Sequence, residues 1–324
     1  MPNPVVRFAL AGALALVPSL AAAQGDPFPP DVPRDRTPPP AQVDPIRADP
    51  PRDRVRPPAM EELKIPSGGA RMNGFIYLAQ GEGPRPVVVF LHGYPGNERN
   101  LDLAQVVRRA GWHALYFDYR GSWGSGGTFS FGNALHDVDA ALAFLRAPEN
   151  RARFRVDTAR IVLVGHSMGG WLAMLYAAAD PSARCTAGLD VANMVRLGRA
   201  ARENPGARDY AAYFRQTSDP QSGPIRANAD DLLNELVANA DRWDFLTLAP
   251  ALKDRAVFLA ASTATDAEAA RQAMTRNLAQ AGARHVRSRF YNDDHSFSAS
   301  RIALAEELLR WLRTECAAVQ RVRR

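Results

Sequence analysis

The residue types most able to do chemistry sit together in Gly165-His166-Ser167-Met168-Gly169, between the apolar run Ile161-Val162-Leu163-Val164 and the helical run Trp171-Leu172-Ala173-Met174-Leu175. A strand, a tight G-x-S-x-G turn and a helix lift a serine hydroxyl above a sheet edge and turn the next amide toward whatever that hydroxyl attacks. Gly165 and Gly169 leave the turn the space it needs, because glycine has no Cβ to clash. A serine hydroxyl is a weak nucleophile until a base takes its proton. The motif therefore calls for a histidine elsewhere in the chain.

The chain has six histidines, and their settings separate them. His92 ends a strand, His113 and His285 begin strands, His136 lies on a helix face, and His166 points away from the Ser167 hydroxyl. His295 alone stands in a loop after the last strand, in Asn292-Asp293-Asp294-His295-Ser296-Phe297. A parallel sheet gathers the loops that follow its strands on one edge, the edge that also carries the serine turn. The order of nucleophile first and histidine last selects His295 as the base. Charge developing on an attacked carbonyl oxygen needs two backbone amides, and losing one such donor costs about 3 kcal/mol of transition-state stabilisation. Met168, directly after the serine, supplies one; Tyr94, in His92-Gly93-Tyr94-Pro95-Gly96, supplies the other, since Pro95 has no N–H.

The elements that must hold these groups alternate. Leu63-Lys64-Ile65 and Met72 to Leu78 read as strands joined at Ser67-Gly68-Gly69. Val87-Val88-Val89-Phe90-Leu91 is apolar on both faces, as a covered central strand must be. A helix from Asn100 to Ala110 follows, then a strand at Ala114-Leu115-Tyr116-Phe117 and a helix from Asn133 to Leu145. Beyond the serine turn come strands at Thr186 to Val191, Ala256 to Ala261 and His285 to Tyr291, then a helix over Ser298 to Glu315. Such alternation means right-handed crossovers and a parallel sheet. Residues 193–250 interrupt it with a long, aromatic-bearing helical segment, the mark of a lid or binding element.

The ends of the chain read differently. Residues 1–23, with Arg7, the apolar run Phe8 to Val17 and Ala21-Ala22-Ala23, have the pattern of a cleaved secretory signal, predicting a periplasmic or secreted protein with no stable membrane insertion. Residues 24–58 hold twelve of the 25 prolines, all between Pro27 and Pro58, and predict an extended, solvated linker to a domain spanning 59–320. An oxidising compartment would let Cys185 and Cys316 pair, although two buried free thiols fit the sequence equally well. The net charge is +6, but only Lys64 and Lys253 of the 40 basic residues are lysine, and no basic block interleaves with aromatics. The composition therefore points to no nucleic-acid partner. No metal-ligand cluster or phosphate-cradling glycine loop calls for a cofactor.

Taken together, four segments resemble the α/β-hydrolase superfamily, in its exported prolyl-oligopeptidase-type and dienelactone-hydrolase-like branch. They are His92-Gly93-Tyr94, Phe117-Asp118-Tyr119-Arg120-Gly121-Ser122-Trp123-Gly124, the serine turn, and Asp294-His295-Ser296-Phe297-Ser298. The resemblance covers roughly residues 61–315 and implies an eight-stranded, mostly parallel α/β sheet with helices on both faces, a helical lid and a Ser–His–acid triad. It also makes Asp118 and Arg120 a local ion pair. The family's usual place for the acid is the loop after the penultimate strand, here Ser262-Thr263-Ala264-Thr265-Asp266-Ala267-Glu268, which points to Asp266. That loop lacks the usual Gly-x-x-Asp lead-in. Asp266 could instead cap the next helix, and Asp190, at the end of the preceding strand, is a second position used by relatives. The expected activity is cleavage of a small-molecule carboxylic ester or related acyl bond through an acyl-enzyme. A serine peptidase is the alternative, and a catalytically inactive binding protein on the same fold is another.

Overall fold

The computed structural model describes residues 43–206 and 209–321. The proposed signal segment and the first part of the proline-rich stretch lie outside them. Eight strands form one sheet in the order β1-β2-β4-β3-β5-β6-β7-β8. They are β1 Ala59–Ser67, β2 Ala70–Leu78, β3 Arg85–Leu91, β4 His113–Phe117, β5 Val156–His166, β6 Cys185–Leu189, β7 Ala256–Ser262 and β8 Val286–Tyr291. β1 and β2 form an antiparallel hairpin and β2 runs antiparallel to β4; all other pairings are parallel.

The run at β3 shows why the sheet is covered on both faces. Successive strand side chains point to opposite sides, so Val87, Val89 and Leu91 join one buried cluster while Val88 and Phe90 join the other. Each such side chain contributes about 1.5–3 kcal/mol by leaving water. The helices α1 (Leu101–Arg109), α2 (Phe131–Arg146), α3 (Pro148–Phe154) and α4 (Met168–Ala179) alternate with the central strands. α2 and α4 cover the first face and α1 the second.

The insertion between β6 and β7 carries α5 (Val195–Glu203), α6 (Ala212–Thr217), α7 (Ala229–Ala238), a 3-10 turn at Phe245–Thr247 and α8 (Ala249–Leu252). It is fastened to the core. The Glu235 carboxylate accepts from the amides of Phe131 and Gly132 at 2.7 and 2.9 Å, capping the N-terminus of α2. Trp171 Nε1 donates to the Trp243 carbonyl at 2.7 Å, and Phe214 and Phe245 are fully buried. After β7 the chain forms α9 (Ala267–Gln280), β8, α10 (Arg301–Trp311), a π-helical turn at Leu312–Cys316 and α11 (Ala317–Arg321).

Two expectations meet corrections here. Residues 43–58, read as part of a solvated linker, lie against the domain: Arg109 Nε donates to the Pro45 carbonyl at 2.5 Å and Gln80 Nε2 to that of Pro51 at 2.9 Å. The β6 strand ends at Leu189 rather than Val191, so Asp190 falls in the turn beyond it, at a φ of 47°. The open question of the cysteines is resolved in favour of a bridge: Cys185, the first residue of β6, is disulfide-bonded to Cys316 across 131 residues of sequence.

Candidate active site

Ser167 stands between the last residue of β5 and the first of α4, with φ 56° and ψ −121°. A left-handed φ on a non-glycine residue is strained and persists only where its surroundings impose it. Here they do. The Ser167 amide donates to the Leu189 carbonyl at 2.8 Å, while its own carbonyl accepts from Gly170 and Trp171 at 3.0 and 3.2 Å. The flanking glycines are sterically required: a Cβ at residue 165 would lie 2.0 Å from the Gly169 carbonyl oxygen, and one at 169 would lie 2.1 Å from that of Leu91.

The parallel register carries the other groups to the same edge. β5 pairs with β6 through His166 and Leu189, and β6 with β7 through Leu189 and Ala260. The residues just beyond are thereby neighbours. Asp190 is fully buried and its amide donates to the Ala260 carbonyl at 2.8 Å. Its Oδ1 accepts from the Ser262 amide at 2.6 Å; its Oδ2 accepts from the Ser262 hydroxyl at 2.9 Å, the Thr265 hydroxyl at 3.1 Å and His295 Nδ1 at 2.6 Å. Burial pulls this carboxyl upward, but the hydrogen bonds from His295 and Ser262 outweigh it and hold it below the usual carboxylate range.

That bond sets the His295 tautomer. A carboxylate accepts only, so Nδ1 carries the proton and Nε2 is left with a lone pair. The His295 side chain is 39% exposed, in the loop between β8 and α10. The Ser167 hydroxyl, on a residue only 8% exposed, forms no hydrogen bond to a described residue. Such bonds often tighten only when substrate is bound.

Asp266 does not meet His295. It occupies the cap position before α9, its side chain is 56% exposed, and its carboxylate pairs with Arg196 of α5. The physical reason is donor supply: the buried amide and hydroxyls that could stabilise a carboxylate beside the imidazole, those of Ser262 and Thr265, all point at Asp190. The expected Asp118–Arg120 pair is also absent. Arg120 Nε and amide bond Asp137 at 2.5 and 2.8 Å, and Asp118 accepts instead from the Tyr116 hydroxyl at 2.9 Å.

The amides proposed for the oxyanion lie on the elements expected. Met168 opens α4, and its N–H is one of those that a helix start leaves unpaired. Tyr94 follows β3, and its ring packs against Phe129, Phe131, Tyr213 and Phe214 at centroid distances of 5.6, 6.3, 5.8 and 5.5 Å. The insertion grips it twice more: the Tyr213 hydroxyl donates to the Tyr94 carbonyl at 3.2 Å, and the Thr217 hydroxyl to the Tyr94 phenol oxygen at 3.1 Å. Sequence reasoning missed Ser262 and Thr265 as holders of the Asp190 carboxylate. Their trace in the sequence is one hydroxyl residue at the end of a strand that neighbours β6 and another in the turn beyond it.

Residues 88–310 match the family model described as the alpha/beta hydrolase family. The chain is 30% identical over 174 residues to the mouse (Mus musculus) sn-1-specific diacylglycerol lipase ABHD11, which is 52% of either chain; it thus spans about half the length of that curated relative. Among solved structures it is similar to Est1E from Butyrivibrio proteoclasticus with ferulic acid bound, at 18% identity and a TM-score of 0.61, covering 79% of this chain and 99% of that one. It is also similar to an acylaminoacyl peptidase from Pyrococcus horikoshii, at 16% identity and a TM-score of 0.56, covering 80% and 42%. At these identities the two structural likenesses speak for the fold alone. With more than half of its length matched by the family model, the chain belongs to the alpha/beta hydrolase family.

Proposed function

We propose that this hydrolase-family protein is an exported serine esterase that cleaves carboxylic esters through Ser167, His295 and Asp190. The observation that carries the reading is the 2.6 Å contact between His295 Nδ1 and the buried Asp190 carboxylate, beside a serine on a strained turn. With Nδ1 protonated, Nε2 is free to accept the Ser167 proton as the hydroxyl oxygen attacks the ester carbon. The amides of Met168 and Tyr94 receive the charge that develops on the carbonyl oxygen. The imidazolium then protonates the departing alcohol. A water deprotonated by the same imidazole attacks the acyl-enzyme, releasing the acid and restoring the serine. Asp190, ionised and buried, stabilises the imidazolium during both halves.

Two further observations support parts of this reading. The mouse relative is named a lipase, which favours an ester over a peptide bond. The Cys185–Cys316 disulfide fits an oxidising compartment, as export of the chain requires. Purified protein is expected to hydrolyse p-nitrophenyl esters of short and medium acyl chains and to lose that turnover in Ser167→Ala. Undiminished turnover by that variant contradicts the nucleophile, and faster cleavage of aminoacyl amides than of esters makes the protein a peptidase instead. Export predicts that the mature chain begins after residue 23, as N-terminal sequencing will read.

A further inference from the structure

The residue before the nucleophile has a partner that the mechanism above does not use. His166 is the last residue of β5 and only 4% exposed. Its Nε2 lies 2.8 Å from the backbone carbonyl oxygen of His295, 129 residues away, and the two imidazole rings pack with centroids 4.5 Å apart at an angle of 47°. A carbonyl only accepts, so the His166 nitrogen in this bond must be the one that carries a proton. Burial first, and the neighbouring His295 second, push the His166 imidazole down to about 4, so it is neutral near pH 7. A neutral imidazole has a single N–H, and here it is on Nε2.

The surrounding loop explains why this bond matters. Asp294 Oδ1 accepts from the amides of Ser296 and Ser298, Thr263 donates to the Asp293 carbonyl, Arg301 donates to the Ser296 carbonyl, and Phe297 is fully buried. These contacts hold the loop on either side of residue 295. At residue 295 itself two hydrogen bonds act: Asp190 on the side chain and His166 on the backbone. One bond at Nδ1 leaves the ring free to pivot about that point. A second bond on the same residue's main chain removes the pivot.

We propose that His166 is a positioning residue for the base: its Nε2–H holds the His295 carbonyl, so that nucleophile and imidazole are both measured from the same stretch of backbone. The bond ties the end of the strand that carries Ser167 directly to the loop that carries His295. This inference rests on His295 being the base. It predicts a kinetic loss without loss of substrate binding, because a displaced base weakens proton transfer and a misplacement of about 1 Å can cost about a hundredfold in rate.

Three measurements test it. In the wild-type protein, nitrogen NMR of labelled histidine should show His166 protonated at Nε2 and bare at Nδ1. Replacing the ring by an apolar side chain in His166→Leu should lower kcat by about ten- to a hundredfold with KM changed by less than about twofold. His166→Gln, whose side-chain amide can donate from a similar place, should recover most of that loss. The proposal is overturned by a His166 protonated at Nδ1, by a Leu variant with wild-type kcat even if its melting temperature falls, or by a Gln variant no better than Leu. If the Leu variant does not fold, the NMR result still decides. His295→Ala separates the two claims: a variant that keeps full esterase activity removes the base itself, and the positioning role with it.

Discussion

The turns after β6 and β7 each offer a carboxylate to the catalytic edge, and they treat it in opposite ways. Asp190 is fully buried, held at a φ of 47°, and receives hydrogen bonds from one amide, two hydroxyls and an imidazole. Asp266 is more than half exposed and spends its charge on Arg196. An exposed ion pair contributes about 0–1 kcal/mol and is screened by salt. A buried carboxylate with a full set of donors is ionised, oriented and out of reach of solvent. In the proposed mechanism the acid is the carboxylate that receives the donors, Asp190 in the turn after β6, and the end of β7 with its turn supplies donors rather than the carboxylate. Its Ser262 and Thr265 serve the neighbouring strand's residue.

The largest test of this contrast removes the charge at one turn. Asp190→Asn is expected to lower kcat by about ten-thousandfold, since an amide can donate to Nδ1 and stabilise the wrong tautomer. Steady-state ester hydrolysis measures it, and a loss under about tenfold would move the acid elsewhere. Next in size is the tie at the far end of the same strand. Replacing both Cys185 and Cys316 by Ser should cost about 2–5 kcal/mol in urea unfolding, with kcat retained below the melting transition. Equal stability of the two proteins contradicts a structural bridge.

Acid strengthens the contrast further. Burial holds His92, His113 and His166 down to about 4. Above about 6.5 these groups are neutral in both folded and unfolded chains. As pH falls from there toward 4, the unfolded chain takes up protons that the folded one refuses, so stability drops by up to about 1.4 kcal/mol per pH unit for each such histidine. The Asp190 carboxyl, held below its ordinary value, keeps its stabilising contribution through this window and loses it only as pH falls through that lowered value. Urea melts at pH 7 and pH 5 should therefore differ clearly, and equal midpoints contradict the buried-histidine account. Ser262→Ala removes one of the hydrogen bonds to Asp190 and should lower kcat by about three- to tenfold, the equivalent of roughly 1 kcal/mol. Asp266→Asn is the smallest change, under about threefold in kcat. A loss as large as that of Asp190→Asn would reverse the comparison.

How much of this was legible in the sequence depends on how local each signal is. The strand, turn and helix around Ser167 lie within fifteen residues, and the steric need for Gly165 and Gly169 follows from the motif itself. The parallel character of the central strands follows from alternation and from doubly apolar runs such as Val87 to Leu91, whereas their order, with β4 between β2 and β3, does not. Asp266 and Asp190 both stood as candidates in the sequence, and the choice between them was not legible because it depends on Ser262 and Thr265, more than seventy residues from Asp190 and brought beside it only by the β6–β7 register. The same is true of His166, whose carbonyl partner lies 129 residues away in the loop between β8 and α10. Arg120 was misread for a related reason. Adjacent opposite charges suggested a pair, while the fold offered Arg120 the buried carboxylate of Asp137 on α2.

Every step proposed for this protein begins with an activated alcohol at residue 167. A fluorophosphonate probe, followed by mass mapping of the labelled peptide, reads it most directly. One adduct is expected, on Ser167, formed rapidly in the wild type and only very slowly in Asp190→Asn. An unlabelled protein, or an adduct on any other residue, would contradict it.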